Sequence, residues 1–287
     1  MTELLSKEKI ICFGESYWIT ASERDSCFPL SITYHLKALG LSPLLITRVG
    51  LDDAGKQLIR DFEGKQIATD YFQIDYDYNT AKWNGFSESL KAWNNIEWDD
   101  RFTDIITNDT IFIHSLLPAS NQRSRDTLFK VIDRLPKRVF QLQHFEPFVT
   151  QQIVGQCLQG AYVLHLSVPE LEWITGWFSR STSIEDRISV LQDRFYIPYL
   201  LVHNKENEVI VKAKDSLYTI KQPDGSAGKS YIQDAFLAGF LFQLITNRGI
   251  PAVLDFANAL ITNFPVNVFE QYNADAIYET IKTNNKK

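Results

Sequence analysis

The segment PLSITYHLKALGLSPLLITRVGLDDAGKQLI, residues 29–59, decides the fold class. It predicts a helix over 31–39, a strand over 44–49 and a second helix over 52–63. The strand is apolar at nearly every position, which is typical of a parallel strand that is buried on both faces. Helices before and after such a strand indicate helical layers packed on a parallel sheet, so the segment predicts an α/β fold.

The same alternation of short apolar strands and helical patterns runs through most of the chain. Further strands are predicted at 10–13, 110–115, 139–143, 162–166 and 199–203, and further helices at 121–134, 148–159, 168–175 and 183–195. This spacing is that of repeated strand–helix–strand units around a mainly parallel central sheet. The last part of the chain predicts a hairpin over 208–222 with its turn at 213–216, then helices at 234–247, near Pro251 and at 274–283.

One segment breaks the alternation. YFQIDYDYNTAKWNGFSESLKAWNNIEW, residues 71–98, is rich in aromatic and polar residues and has a period near two in places. This pattern predicts an antiparallel excursion from the parallel sheet, such as a lid. No linker marks a domain boundary, so we expect a single domain over 1–287, with a lid at approximately 15–25 and 71–100 inserted in it.

The composition limits the function classes. The net charge is −6 and the pI is about 5.4, which argues against sequence-independent binding of nucleic acid, because that needs a basic face. Three cysteines without a CxxC pair predict neither a disulfide framework nor a zinc site. No stretch has the pattern of a secretory signal or a membrane span, so we expect a cytoplasmic protein.

Common catalytic motifs do not account for the sequence. There is no GxSxG elbow of a serine hydrolase, and the five histidines form no HExxH or HxH pair, so no metal site is predicted. Gly228-Lys229-Ser230 resembles the end of a P-loop. That pattern requires a glycine five residues before Gly228, where Pro223 stands, and we therefore do not expect a P-loop.

Six stretches occur in the order and at the spacing of one known family. They are CFGES (12–16), the segment 29–59, NTAKW (79–83), HLSVPELEWITG (165–176), QDAFLAGFL (233–241) and DFANAL (255–260). Together they resemble the ribokinase-like (PfkB) carbohydrate kinases, nearest to the bacterial fructokinases, over nearly the whole chain. The resemblance implies a mainly parallel sheet flanked by helices, with a small β lid that closes over a sugar.

The resemblance also implies a chemistry. In that family ATP, used with Mg²⁺, supplies its γ-phosphoryl group to a sugar hydroxyl, and an aspartate deprotonates this hydroxyl. Backbone N–H groups of a Gly-Ala-Gly turn bind the transferring phosphate, since donors at a helix N-terminus are well placed for developing negative charge. Asp234 matches the aspartate, and Asn258 falls on the late helix near the adenine.

The chain departs from the family where phosphate would be handled. The Gly-Ala-Gly turn is Tyr231-Ile232-Gln233, which places side chains where the family has a close backbone approach. The family has a Thr-x-G motif after the core strand that corresponds to 199–203, and His203 stands at the position of its threonine.

The sugar side departs as well. The early sugar-binding aspartate falls on Ile19, a Gly-Gly pair falls on Ser26 and Cys27, and the asparagine that follows falls on Ser31. Trp83 ends the motif that lies in the lid. We therefore expect a degenerate sugar pocket.

The acids that remain have a structural explanation beside the catalytic one. The Lys and Asn of the family's K-x-N-x-x-E motif are His165 and Ser167, while Glu170 is kept. Ser167 and Glu170 have the spacing of a capping box at a helix start. Asp234 precedes an apolar helical run, and aspartate is a preferred N-cap residue. The sequence favours the N-cap role of Asp234 over the catalytic role.

Two functions remain open at this stage. The first is a sugar-kinase-like protein with a degenerate site and little or no phosphotransfer, which binds a sugar-like ligand or a partner and needs no cofactor. The second is an active ATP- and Mg²⁺-dependent carbohydrate kinase with an altered substrate and a rebuilt phosphate site that uses Lys229. Aromatic residues of the lid predict either a homodimer contact or packing on their own domain; they are Tyr71, Phe72, Tyr76, Tyr78, Trp83 and Phe86.

Overall fold

The computed structural model describes residues 9–18, 28–82, 90–142, 149–226, 229–246, 248–263 and 276–279. These residues form a central nine-stranded sheet with helices on both of its faces, together with a separate two-stranded sheet. The α/β fold with a mainly parallel sheet, predicted from the sequence, is confirmed.

The strands follow the predicted order along the chain. They are β1 (Lys9–Phe13), β2 (Tyr17–Trp18), β3 (Leu44–Gly50), β4 (Phe72–Asp75), β5 (Ala81–Lys82), β6 (Thr110–Ser115), β7 (Lys137–Gln141), β8 (Val163–Ser167), β9 (Tyr199–His203), β10 (Glu208–Ala213) and β11 (Ser216–Lys221). The order across the large sheet is β11-β10-β9-β8-β7-β6-β1-β3-β4. Strands β9 to β4 in this order pair in parallel, whereas β10 pairs antiparallel with both β9 and β11. The predicted hairpin is therefore present.

The helices form two layers. They are α1 (Leu30–Ala38), α2 (Asp53–Gly64), α3 (Phe102–Ile105), α4 (Gln122–Ile132), α5 (Gln151–Leu158), α6 (Val168–Thr175), α7 (Ile184–Phe195), α8 (Ser230–Ile245) and α9 (Ile250–Asn263). Buried residues of α1, α2, α8 and α9 belong to one core cluster, and those of α3 to α7 belong to another. Residues 276–279 are also helical, inside the last helix that the sequence predicts.

Alternate residues of β1 show how one strand serves both layers. Ile10 and Cys12 belong to the core cluster on the α1 side of the sheet, while Ile11 and Phe13 belong to the cluster on the α4 side. Successive side chains of a strand point to opposite faces, so a central strand with two buried faces has to be apolar throughout. This is the physical reason why the apolar runs predicted the sheet.

The prediction of an antiparallel excursion over residues 71–98 is wrong for both strands that the structure describes there. Strand β4 joins the large sheet in parallel beside β3, with Thr47 opposite Phe72, and β5 pairs in parallel with β2. Phe72 is buried in the core cluster on the α1 side of the sheet, and Tyr71 packs against the cluster on the α4 side, so these two aromatic residues are not part of an exposed lid surface. Residues 83–89, which include Trp83 and Phe86, lie outside the described residues.

Among the described residues, no helix has both the length and the hydropathy that crossing a membrane would require.

Candidate active site

The carboxyl ends of parallel strands meet at one edge of a sheet, and here they carry buried polar side chains. Ser115, His165 and His203 lie at or near the ends of β6, β8 and β9, and Glu15 follows β1. Asp234 of α8 is also fully buried, with 0% of its surface exposed. In open α/β sheets this edge is where ligands bind, so these groups define the candidate site.

Helix α8 begins earlier than the sequence predicts. Its first residue is Ser230 and its N-cap is Lys229, so Asp234 lies inside the helix and not at its N-cap. The capping role that we favoured for Asp234 is therefore wrong. The apolar pattern begins after Asp234, which set the predicted start, but the backbone is already helical one turn before it.

This extra turn changes the backbone donors of the candidate phosphate site. The N–H groups of Ile232 and Gln233 donate to the carbonyl oxygen of Lys229, at N–O distances of 3.0 and 3.2 Å. These are two of the groups that the family resemblance assigns to phosphate binding. Tyr231, Ile232 and Gln233 are each only partly buried. The turn is thus closed by its own helical hydrogen bonds, and not simply crowded by side chains, as we expected.

The carboxylate of Asp234 has a protein partner. The hydroxyl of Ser31 on α1 donates to Asp234 Oδ2, and both residues are buried. The structure therefore brings together two residues that the sequence placed at the base and at the sugar side. The group that donates to this carboxylate is a side chain of the protein itself.

A second contact joins the same two helices. His35 lies on α1 four residues after Ser31, and its imidazole is hydrogen-bonded to the backbone of Tyr231. Burial lowers the pKa of His35 to about 4, although the bond to Tyr231 acts in the opposite direction. The ring is therefore neutral at neutral pH.

Glu15 is a buried acid beside this junction. Ser115 Oγ lies 2.9 and 2.8 Å from its two carboxyl oxygens. Burial raises the pKa of Glu15 to about 8; bonds from its own backbone and from Ser115 lower it, and the charge of Asp234 raises it further. Glu15 is thus mostly protonated at neutral pH, and one negative charge is avoided next to Asp234.

The two histidines at the phosphate side contact each other. The Nε2 atoms of His165 and His203 are 2.8 Å apart, and both rings are buried. Burial is the main cause that holds the pKa of His165 well below its usual value, and burial lowers the pKa of His203 to about 4. At neutral pH one ring must donate its proton to the other, so neither supplies a positive charge for a phosphate.

The predicted capping box is present at the start of α6. Ser167 is the N-cap, and Glu170 Oε2 accepts hydrogen bonds from the backbone N–H and the hydroxyl of Ser167 at 2.7 and 2.8 Å. The acid that the resemblance places at the phosphate and nucleotide side therefore contacts its own helix terminus.

The remaining predicted positions fall in two groups. Ile19, Ser26, Cys27 and Trp83, all from the sugar side, lie outside the described residues. Asn258 lies on α9 and is partly buried; its Oδ1 has no hydrogen-bond partner among the described residues. In the described part of the chain we find no cluster of three or more histidine, cysteine, aspartate or glutamate residues that could hold a metal ion.

Sequence reasoning missed three residues of this site: Glu15, His35 and Ser115. Glu15 sits directly after β1 in the CFGES stretch, so its position at the carboxyl edge was available as a signal. His35 follows Ser31 by four residues on a predicted helix, which places the two side chains on one face. Ser115 ends a predicted strand that carries no other signal.

Comparison with solved structures shows which fold this is. A fructokinase with bound ATP from Xylella fastidiosa has a TM-score of 0.76 at 16% identity, with 98% of this chain and 100% of that chain covered. The aminoimidazole riboside kinase from Salmonella enterica has a TM-score of 0.74 at 14% identity, with 94% and 98% covered. The chain has the ribokinase-like carbohydrate kinase fold. A fructokinase from Vibrio cholerae O395 in apo form agrees, with a TM-score of 0.71 at 18% identity and coverage of 98% and 100%.

Other comparisons add nothing to this result: no protein-family model matches the sequence, and no curated protein matches it significantly. Identities below 20% show the fold of the ribokinase-like kinases and do not carry their activity to this chain. The site residues therefore have to be judged by their own geometry.

Three observations on the described residues bear on the binding of ATP and Mg²⁺ at this edge of the sheet. The backbone donors of Ile232 and Gln233 already have acceptors within the helix. Glu170 is bonded to Ser167, and His165 is neutral where the family has a lysine. An anion placed here would compete with the carbonyl oxygen of Lys229 for the N–H groups of Ile232 and Gln233, and it would meet a neutral ring at His165.

We predict that Asp234 stabilises the fold through Ser31. Asp234→Ala should lower the free energy of unfolding by about 1–3 kcal/mol, because a buried hydroxyl loses its acceptor. Asp234→Asn keeps an oxygen at this position and should cost less. Urea unfolding of both variants measures the difference.

The control is a double-mutant cycle with Ser31→Ala. If the two residues act through their contact, the double variant should lose less than the sum of the single losses, by about 0.5–3 kcal/mol. Additive losses would show that Asp234 stabilises the protein in another way.

Proposed function

We propose that this chain is a ribokinase-like pseudokinase, with little or no transfer of phosphate from ATP to a sugar. The observation that carries the proposal is the closed first turn of α8: Ile232 and Gln233 donate to Lys229, and the next residue, Asp234, accepts from Ser31. Phosphotransfer needs donors for the phosphate and a base for the acceptor hydroxyl. Here both are engaged with the protein itself.

The size of the expected loss supports this proposal. Removing a single donor from an oxyanion-type site lowers the rate by about 10²–10³. Two backbone donors are engaged in the helix here, and the hydrogen bond from Ser31 to Oδ2 makes Asp234 a weaker base toward a sugar hydroxyl. The helical hydrogen bonds therefore weaken phosphate binding, and the bond from Ser31 weakens deprotonation of the sugar hydroxyl.

One observation favours the second candidate, an active carbohydrate kinase with a rebuilt phosphate site. Lys229 is exposed at the N-cap of α8, and a Cβ built on Gly225 would lie 3.8 Å from its Nζ atom. A mobile ammonium group near a helix N-terminus can bind phosphate as a point charge. ATP and Mg²⁺ are the cofactors of this candidate, whereas the pseudokinase needs none.

The sugar side gives the proposed ligand class. We propose a sugar-like small molecule as the ligand, since a structural neighbour, a fructokinase from Vibrio cholerae O395, was solved with fructose, ADP and calcium ion bound. The acidic net charge of −6 supports a small molecule or a protein over nucleic acid. We also propose a cytoplasmic location.

Nucleotide binding tests the pseudokinase proposal. We predict that Mg-ATP raises the melting temperature very little at millimolar concentration, because two backbone donors of the turn, the N–H groups of Ile232 and Gln233, are already bonded within the helix. A ligand at about 100 times its Kd would add about 2.7 kcal/mol, which a thermal-shift titration detects easily. The matched variant Lys229→Ala should behave like the wild type.

Two results would contradict the proposal. One is saturable stabilisation by Mg-ATP that Lys229→Ala abolishes, which would support the rebuilt phosphate site. The other is sustained ADP release that depends on one member of a sugar panel.

We also propose that two copies associate through the lid, at one end of the large sheet. Leu51 and Tyr76 are 59% and 80% exposed there, and Tyr78 is 37% exposed. Exposed aromatic side chains are frequent in protein interfaces. We predict that sedimentation velocity detects a dimer that Tyr76→Ser weakens, while Tyr196→Ser, at a similarly exposed tyrosine that follows α7, leaves it unchanged. A monomer at all concentrations would refute the dimer.

A further inference from the structure

We infer that helix α1 holds the first turn of α8 in its closed form, through Ser31 and His35, and that these two residues decide whether the turn can bind an anion. The inference rests on the proposed function, in that it names what keeps the phosphate site closed. It assigns the closure to α1, and not to the side chains that replaced glycine in α8.

Helix α1 makes two polar contacts with α8. Ser31 and His35 are four residues apart and so lie on one face of α1. Ser31 donates to the side chain of Asp234, and His35 is bonded to the backbone of Tyr231. Tyr231 and Asp234 are three residues apart and share a face of α8. Two polar contacts from α1, one helical turn apart, therefore stabilise the first turn of α8.

The turn has no capping side chain of its own. The N-cap residue, Lys229, makes no side-chain hydrogen bond to the first turn, and Tyr231, Ile232 and Gln233 are only partly buried. A helix end without a cap tends to fray, because its first N–H groups have no partners within the helix. Contacts from a neighbouring element must then supply the stability that the local sequence lacks.

Helix α1 is suited to this role because it is itself fixed. Residues 30–36 are all buried, and the residue before the helix, Pro29, packs against Gly14. A Cβ built on Gly14 would lie 3.5 Å from Pro29 and 2.8 Å from Pro118, so the approach of these loops is close. A well-packed α1 can therefore stabilise the uncapped start of α8.

Hydrogen exchange tests the inference directly. The variant Ser31→Ala with His35→Leu removes both polar contacts and keeps an apolar core. The amides of Ile232 and Gln233 should exchange about tenfold faster or more in it, relative to the amides in the middle of α8. The control, Ile32→Val, loosens the packing of α1 without touching a polar contact, and should change all of α8 evenly. Equal exchange in the two variants would overturn the inference.

If that variant fails to fold, hydrogen exchange of the wild-type protein still tests the inference. With the contacts intact, the amides of Ile232 and Gln233 should be protected far more than a fraying helix end. Exchange of these amides at nearly the rate of an unfolded chain would overturn the inference without any variant.

Binding of inorganic phosphate supplies the second measurement. Tyr231→Gly, Ile232→Ala and Gln233→Gly together restore the family's turn, but α1 still holds it, so this variant should bind no more phosphate than the wild type and release no ADP with sugar. Adding Ser31→Ala and His35→Leu should produce saturable binding by calorimetry. Binding by the triple variant alone would overturn the role of α1.

The two claims can fail separately. Turnover by the wild type would refute the pseudokinase and leave the exchange result standing. Unchanged exchange in the α1 variant would refute the inference, even if the wild type never turns over.

Discussion

The contact between Ser31 and Asp234 is the interaction on which the rest of the site depends. It joins α1 to α8, so that an acid at the position of a catalytic base becomes part of a junction between two helices. A carboxylate without solvent is costly unless a donor satisfies it. Ser31 supplies a donor to one of the two carboxylate oxygens, Oδ2, from within the protein.

The same principle extends along the carboxyl edge of the sheet. Ser115 contacts Glu15, Ser167 contacts Glu170, and His165 contacts His203. Buried polar groups have to be paired, and in an enzyme some of these pairs form only when the ligand arrives. Here the pairs are made among the protein's own residues. The imidazoles of His165 and His203 are neutral, so these two positions do not supply the positive charge that a nucleotide's phosphates attract.

The sequence predicted the fold well because the relevant signals are local. Apolar runs such as 110–115 became strands that are buried on both faces, and the Ser167–Glu170 spacing became a capping box. The start of α8 was predicted wrongly for a physical reason. Its first turn has no capping side chain, and contacts from α1, which are distant in sequence, decide its conformation. The parallel pairing of β4 was missed because aromatic residues near period two do not reveal which strand lies beside them. The roles of Ile19, Ser26, Cys27 and Trp83 stay predictions, since these residues lie outside the described part of the chain.

A crystal structure grown with Mg-ATP at millimolar concentration tests the central claim most directly, because it shows the turn itself. The account predicts a helix that still begins at Ser230, with Ile232 and Gln233 bonded to Lys229 and Asp234 bonded to Ser31. An unwound first turn, with phosphate oxygens on the amides of Ile232 and Gln233 and Asp234 released from Ser31, would contradict it.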